Sequence, residues 1–108
     1  FNMGILDFLR VPNMDQGVVE YKNTEGAVLL DVRTPQEYKE GYVPSSKNVP
    51  LQSLGQLERI VTDKKKPLFV YCYSGSRSSQ AVRMLGKMGY SNVKNIGGIA
   101  SYTGKVER

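Results

Sequence analysis

Hydrophobic and polar positions alternate along this chain between two periods. Short continuous apolar runs, which suit strands buried on both faces, are separated by stretches with helical spacing. Ala27-Val28-Leu29-Leu30-Asp31-Val32 is the first such run, and Leu68-Phe69-Val70-Tyr71-Cys72 is the second. Val93-Lys94-Asn95-Ile96 reads as a third, shorter strand, and Asn48-Val49-Pro50 as a short extended piece. Between them, Met14 to Tyr21 predicts a helix with Val18, Val19 and Tyr21 toward the core. Thr34-Pro35-Gln36-Glu37 starts another, with Thr34 at the N-cap, Pro35 at N1 and Glu37 at N3, and Gly41 ends it. Leu54, Leu57 and Ile60 recur at helical spacing within 51–61. Ser78 to Met88 is the strongest amphipathic stretch, with Ala81, Val82, Leu85 and Met88 on one face and Gly89 as its stop. Gly97-Gly98 turns the chain into a last short helix around Ile99 to Tyr102. Strands alternating with helices predict an α/β fold with a mostly parallel sheet.

The 108 residues suffice for one domain, 1–108, with a hydrophobic core of its own. No apolar run approaches the ~20 residues that cross a bilayer, and Phe1 to Leu9 lacks the basic start of a secretion signal. The net charge of +5 is modest. The one basic run, Lys64-Lys65-Lys66, lies in a turn without aromatic neighbours. It reads as a solvated turn rather than a nucleic-acid surface. Neither membrane nor nucleic acid is therefore an expected partner.

Cysteine and histidine counts narrow the chemistry. One Cys and no His are present. That composition disfavours an internal disulfide, a zinc site and a Cys–His catalytic pair. A lone free thiol fits a reducing compartment, which places the protein in the cytoplasm. The cysteine, Cys72, ends a buried strand and opens the loop Tyr73-Ser74-Gly75-Ser76-Arg77, which leads into the strongest helix. Unpaired N–H groups at a helix start favour an anion, small residues let the loop curl into a nest, and Arg77 adds a permanent charge. A cysteine at the mouth of such a nest has a lowered pKa. Its thiolate can attack a sulfane sulfur or a phosphoryl group, or sense oxidants. Sulfur transfer needs no imidazole base, and it suits this composition best.

These residues resemble a known family. Leu29 to Tyr38, Gly41-Tyr42-Val43-Pro44 with Asn48-Val49-Pro50-Leu51, Cys72 to Ser78, and Gly97-Gly98 with Tyr102 and Gly104 are similar, in order and spacing, to the signatures of the rhodanese-like domain. The resemblance implies a three-layer α/β/α domain around a central, mostly parallel five-stranded sheet. It implies a sulfurtransferase with a persulfide on Cys72, loop N–H groups from Tyr73 to Arg77 around it, and Arg77 in the pocket wall. No cofactor or metal is implied. Expected partners are a small anionic sulfur donor such as thiosulfate or a low-molecular-weight persulfide, a cyanide or thiol acceptor, and a protein acceptor in some settings. A monomer is the expected state.

Tyr42, where many relatives have His, and Ser78 are further pocket candidates; Tyr42 either lines the substrate mouth or packs. Tyr102 stands where Trp is common. Tyr71 is turned to the core by strand alternation, while Tyr73 edges the pocket. Asp31, Arg33 and Glu37 read as structural: the first two close a strand end, and Glu37 caps a helix or pairs with Arg33. The alternatives are a sulfur-carrier or redox-sensing interaction module, and a phosphatase or arsenate reductase. Against the latter, only four residues separate Cys72 from Arg77, one fewer than a phosphate loop uses.

Overall fold

In the computed structural model, which describes residues 12–108, four parallel strands form one sheet. They are β1 (Val28–Asp31), β2 (Lys47–Asn48), β3 (Leu68–Cys72) and β4 (Val93–Gly98), in the order β2-β1-β3-β4. The helices are α1 (Met14–Lys22), α2 (Pro35–Glu40), α3 (Leu57–Ile60) and α4 (Ser76–Lys87), with 3₁₀ turns at Leu51–Gln56 and Ile99–Ser101. The reading of Phe1 to Leu9 lies outside the described residues. The sheet of the described residues has four strands where the family resemblance implies five. The pairing of Tyr42 with Glu107 is a single antiparallel bridge outside the sheet.

Strand alternation divides the core into two layers. Val28, Leu30, Leu68, Val70 and Cys72 point to one face, where Leu54, Leu57, Ala81 and Leu85 cover them. Leu29, Phe69, Tyr71 and Ile96 point to the other, under Met14 and Val18 of α1. The three-layer α/β/α arrangement is thus present, and Cys72 and Tyr71 face opposite sides as the period of two requires.

Two helical faces differ from expectation. In α1 the buried residues are Met14, Gly17 and Val18, while Val19 is 57% exposed. Gly17 sets this face: a Cβ there would overlap Ile96, so the helix backbone lies directly on β4. In 51–61 the chain is first 3₁₀ and only then α-helical. A three-residue period aligns Leu51, Leu54 and Leu57 toward the core, and Ile60, in the α-helical turn that follows, is half exposed. The basic turn is partly structural, because Lys64 Nζ donates to the Met88 carbonyl at the end of α4 at 2.7 Å.

The strand order reverses at β1/β3: the chain leaves β1 for β2 on one side, then returns past β1 to β3 and β4. A crevice forms at the carboxyl ends of strands at such a switch point. Here those ends carry Asp31 and Cys72. Asp31 is fully buried, and both its oxygens accept from Arg33: the guanidinium Nη2 donates to Oδ2 at 2.6 Å and Nε to both oxygens at 3.0 Å, and the Arg33 backbone N–H donates to Oδ1 at 2.9 Å. Arg33 Nη2 also donates to the Gly41 carbonyl at 2.6 Å, joining the strand end to the far end of α2. Arg33→Ala would strand the buried Asp31 carboxylate, and a loss of roughly 3–5 kcal/mol is expected in urea unfolding. Adding Asp31→Asn should recover part of that loss, which a double-mutant cycle would read.

Candidate active site

Cys72 is the last residue of β3, and its side chain is 1% exposed. The thiol therefore sits on the floor of the loop rather than at its mouth. The chain turns back over it through Gly75, whose φ of 108° requires glycine, and α4 begins immediately at Ser76. The helix thus starts two residues earlier than the sequence pattern suggests. Its N-cap is a glycine with no capping side chain, so the usual polar start signal is missing. Placing Ser76 and Arg77 in the first helical turn leaves N–H groups free to face the sulfur. The Gly75 N–H donates to Sγ at 3.0 Å and the Ser78 N–H at 3.4 Å.

Ser78 is fully buried beside the sulfur, its Oγ 3.4 Å from Sγ. That hydroxyl also lies 2.7 Å from Asn95 Oδ1 and 3.0 Å from the Gly75 carbonyl. It has one proton to give, and the shortest contact marks Asn95 as its partner when Cys72 is a neutral thiol. The sequence pattern alone places Asn95 only in a strand. It stands at the register shift where Val70 pairs with Asn95 and Tyr71 with Gly97, and its Oδ1 also accepts from the Gly97 N–H at 2.9 Å. An uncharged polar residue next to Ile96 and Gly97-Gly98 in a short strand is the available signal.

Burial pushes the Cys72 thiol up, but hydrogen bonds from the Ser78 hydroxyl and from the backbone N–H groups of Ser78, Gly75 and Arg77 outweigh it. The net direction is down, so the buried sulfur is poised toward thiolate.

Arg77 is engaged by an acidic partner. Its guanidinium forms a two-point ion pair with Glu37, Nη1 to Oε1 at 2.7 Å and Nη2 to Oε2 at 2.9 Å. Glu37 pairs with Arg77 and not with Arg33, because Arg33 is taken by Asp31. The capping function of Glu37 is present as read: Oε1 accepts from the Thr34 N–H at 3.0 Å while Thr34 Oγ1 accepts from the Glu37 N–H. The Arg77 hydrogen bonds, with those of Thr34, hold the Glu37 carboxyl at about 2 despite some desolvation.

The rest of the loop is open. Tyr73 and Ser74 are exposed, Ser76 is exposed on the first turn, and Tyr73 borders a cavity of about 320 Å³ with Arg33, Glu37, Glu40, Gly41, Ile99 and Val106. Tyr42 is not among the residues bordering that cavity; its ring stacks on Tyr38 with centroids 4.3 Å apart. Tyr71 is core, its hydroxyl accepting from the Val43 N–H and donating to Ser46 Oγ. Gly98 lets the loop settle on β4, since a Cβ there would overlap the Tyr73 carbonyl, which accepts from the Ala100 N–H at 3.0 Å.

Comparison with known proteins agrees with this fold. The rhodanese-like domain family matches residues 14–105. The chain belongs to that family. It is 41% identical to the Escherichia coli protein named thiosulfate sulfurtransferase PspE, over 65% of this chain and 68% of that one. It is 38% identical to the Pseudomonas syringae protein named thiosulfate sulfurtransferase GlpE, over 68% and 69%. The fold is similar to a solved structure described as a rhodanese with anions from E. coli, with a TM-score of 0.71 and 32% identity over 76% of this chain and 98% of that one. This rhodanese-like domain thus keeps its lone cysteine in the buried elbow between β3 and α4.

Because hydrogen bonds rather than the compensated Arg77 charge dominate at the sulfur, Ser78→Ala should raise the thiol pKa more than Arg77→Ala. Iodoacetamide alkylation rates against pH would measure both. In the wild type the curve should rise at lower pH than for a free cysteine peptide.

Proposed function

We propose that this domain is a sulfurtransferase that carries sulfane sulfur as a persulfide on Cys72. The observation that carries this reading is the convergence of the Gly75 and Ser78 N–H groups, from the loop and the first turn of α4, on the Sγ of a buried lone cysteine. In this reading Tyr73, Ser74, Gly75, Ser76 and Arg77 form the persulfide-binding loop, and Ser78 is the polar partner beneath the sulfur.

With thiosulfate as donor, the Cys72 thiolate attacks the outer sulfur and forms a new S–S bond. The old S–S bond breaks with its electron pair on sulfite, leaving Cys72–S–S⁻ and a sulfite dianion. With cyanide as acceptor, the carbon attacks the outer sulfur, thiocyanate leaves and the thiolate is restored. Charge balances in both steps and no proton moves, so a chain without histidine can run them. The first step converts a thiolate into a persulfide anion at nearly the same place, so donors fixed in advance around Sγ require little rearrangement. A thiol acceptor, on a small molecule or on a protein, fits the same scheme. The names of the relatives support sulfur transfer as the reaction class.

Thiosulfate should add about 32 Da to the intact protein, removable by cyanide or dithiothreitol. Cys72→Ser should take up nothing, and an adduct persisting in that variant would defeat the assignment.

Loop size favours this reading over phosphoryl transfer. Gly75 folds the four-residue bridge so tightly that its own N–H already reaches Sγ, where the Ser78 N–H from the first turn of α4 joins it. A phosphoryl group needs a wider ring, because each of its equatorial oxygens requires a donor. The protein should therefore leave p-nitrophenyl phosphate untouched; turnover that disappears in Cys72→Ser would make it a phosphatase instead.

A further inference from the structure

The loop's guanidinium is not waiting for a ligand. Arg77 is drawn 40 residues back along the chain to Glu37, and both ends of its fork are used there. Glu37 is held independently of Arg77, because the capping box of α2 fixes its carboxylate through Thr34. The topology enforces the meeting: α2 follows β1, the loop follows β3, and the two strands are neighbours at the switch point. Arg33 cannot relieve Glu37, since Asp31 and the Gly41 carbonyl already occupy it.

A dianion arriving at the loop meets two obstacles. It must displace a two-point ion pair to use Arg77. It must also approach the Glu37 carboxylate, with Glu40 bordering the same cavity. A donor whose sulfur arrives without a sulfonate meets neither, because loop N–H groups suffice for a sulfur anion.

We propose that Glu37 is a specificity-determining residue of the Cys72 site: by occupying the Arg77 fork it turns the site away from dianionic thiosulfate and toward thiol persulfides. This rests on the persulfide-carrier reading above. The favoured step is attack of the Cys72 thiolate on the outer sulfur of R–S–SH. The S–S bond of the donor breaks, its electron pair leaves on R–S⁻, and Cys72–S–SH forms with charge and redox state conserved. The shared chemistry is the persulfide, which a small thiol or a protein cysteine can supply.

Glu37→Gln tests the assignment, because glutamine can keep the capping box while it removes the charge and sets a donor amide where Oε2 accepts from Arg77, which releases the fork. Thiosulfate, glutathione persulfide and persulfidated serum albumin serve as donors, the last two separating the small and protein sources. A thiol persulfide is intrinsically reactive, so the diagnostic quantity is the change in donor ratio between wild type and variant. The ratio of kcat/KM for thiosulfate to that for glutathione persulfide should rise about tenfold in Glu37→Gln, chiefly through a lower KM for thiosulfate. Sulfate, an unreactive dianion, should protect Cys72 from iodoacetamide more strongly in the variant, a readout that needs no turnover. Should the variant not fold, Glu37→Asp, which shortens the reach and breaks the two-point geometry, should move both readouts the same way but less. An unchanged donor ratio together with equal sulfate protection would overturn the role of Glu37. Failure of every donor to load wild-type Cys72, with the sulfate effect intact, would instead fell the carrier reading alone.

Discussion

Everything at this site depends on surrounding a thiol with hydrogen-bond donors where water barely reaches. A buried thiol resists ionisation, and Cys72 is almost entirely buried. The compensation is geometric: the chain reverses over the sulfur through a left-handed glycine and starts a helix at once, which turns backbone N–H groups inward. Removing any one feature would weaken the others. Without Gly75 the reversal is strained, without the helix start the N–H groups would bond elsewhere, and without burial the donors would be shared with water.

The surrounding fold can be read as support for that elbow. Gly98 lets the Tyr73 backbone lie against β4, and Asn95 ties the shifted register of β4 to the Ser78 hydroxyl. The buried Asp31–Arg33 pair closes the neighbouring strand end and, through Gly41, anchors α2. α2 then presents Glu37 to Arg77. Two chain segments distant in sequence thus meet over the sheet's switch point. The charge of the loop is set as much by α2 as by the loop itself. A formal count of charged side chains would assign the pocket a free arginine, whereas the structure gives it an arginine already matched.

Much of this was legible in the sequence for local reasons. The runs around Leu29 and Val70 are apolar on successive residues, which only a strand buried on both faces explains. Thr34, Pro35 and Glu37 spell a helix start within four residues, and the capping box formed as read. Cys72, Gly75 and Arg77 form a short motif whose backbone consequences are local, so the elbow could be anticipated. What failed did so where a neighbour decides. Val19 looked equivalent to Val18 until Gly17 docked on Ile96, while Tyr21 packs against the core as expected. Ile60 looked continuous with Leu54 and Leu57, but the change from 3₁₀ to α-helix after Gln56 leaves it half exposed.

The sequence by itself thus determined the element types, the parallel sheet and the single thiol and its place at a strand end, because these follow from periodicity, turn chemistry and a unique cysteine. Only the tertiary structure decided which charges are free. Glu37 had Thr34 and Arg33 as local candidates, and Arg77 had none. The order β2-β1-β3-β4 brings β1 beside β3 and places Glu37 and Arg77 in contact. Pairing across 40 residues is a property of strand order, and no local pattern in either segment encodes it.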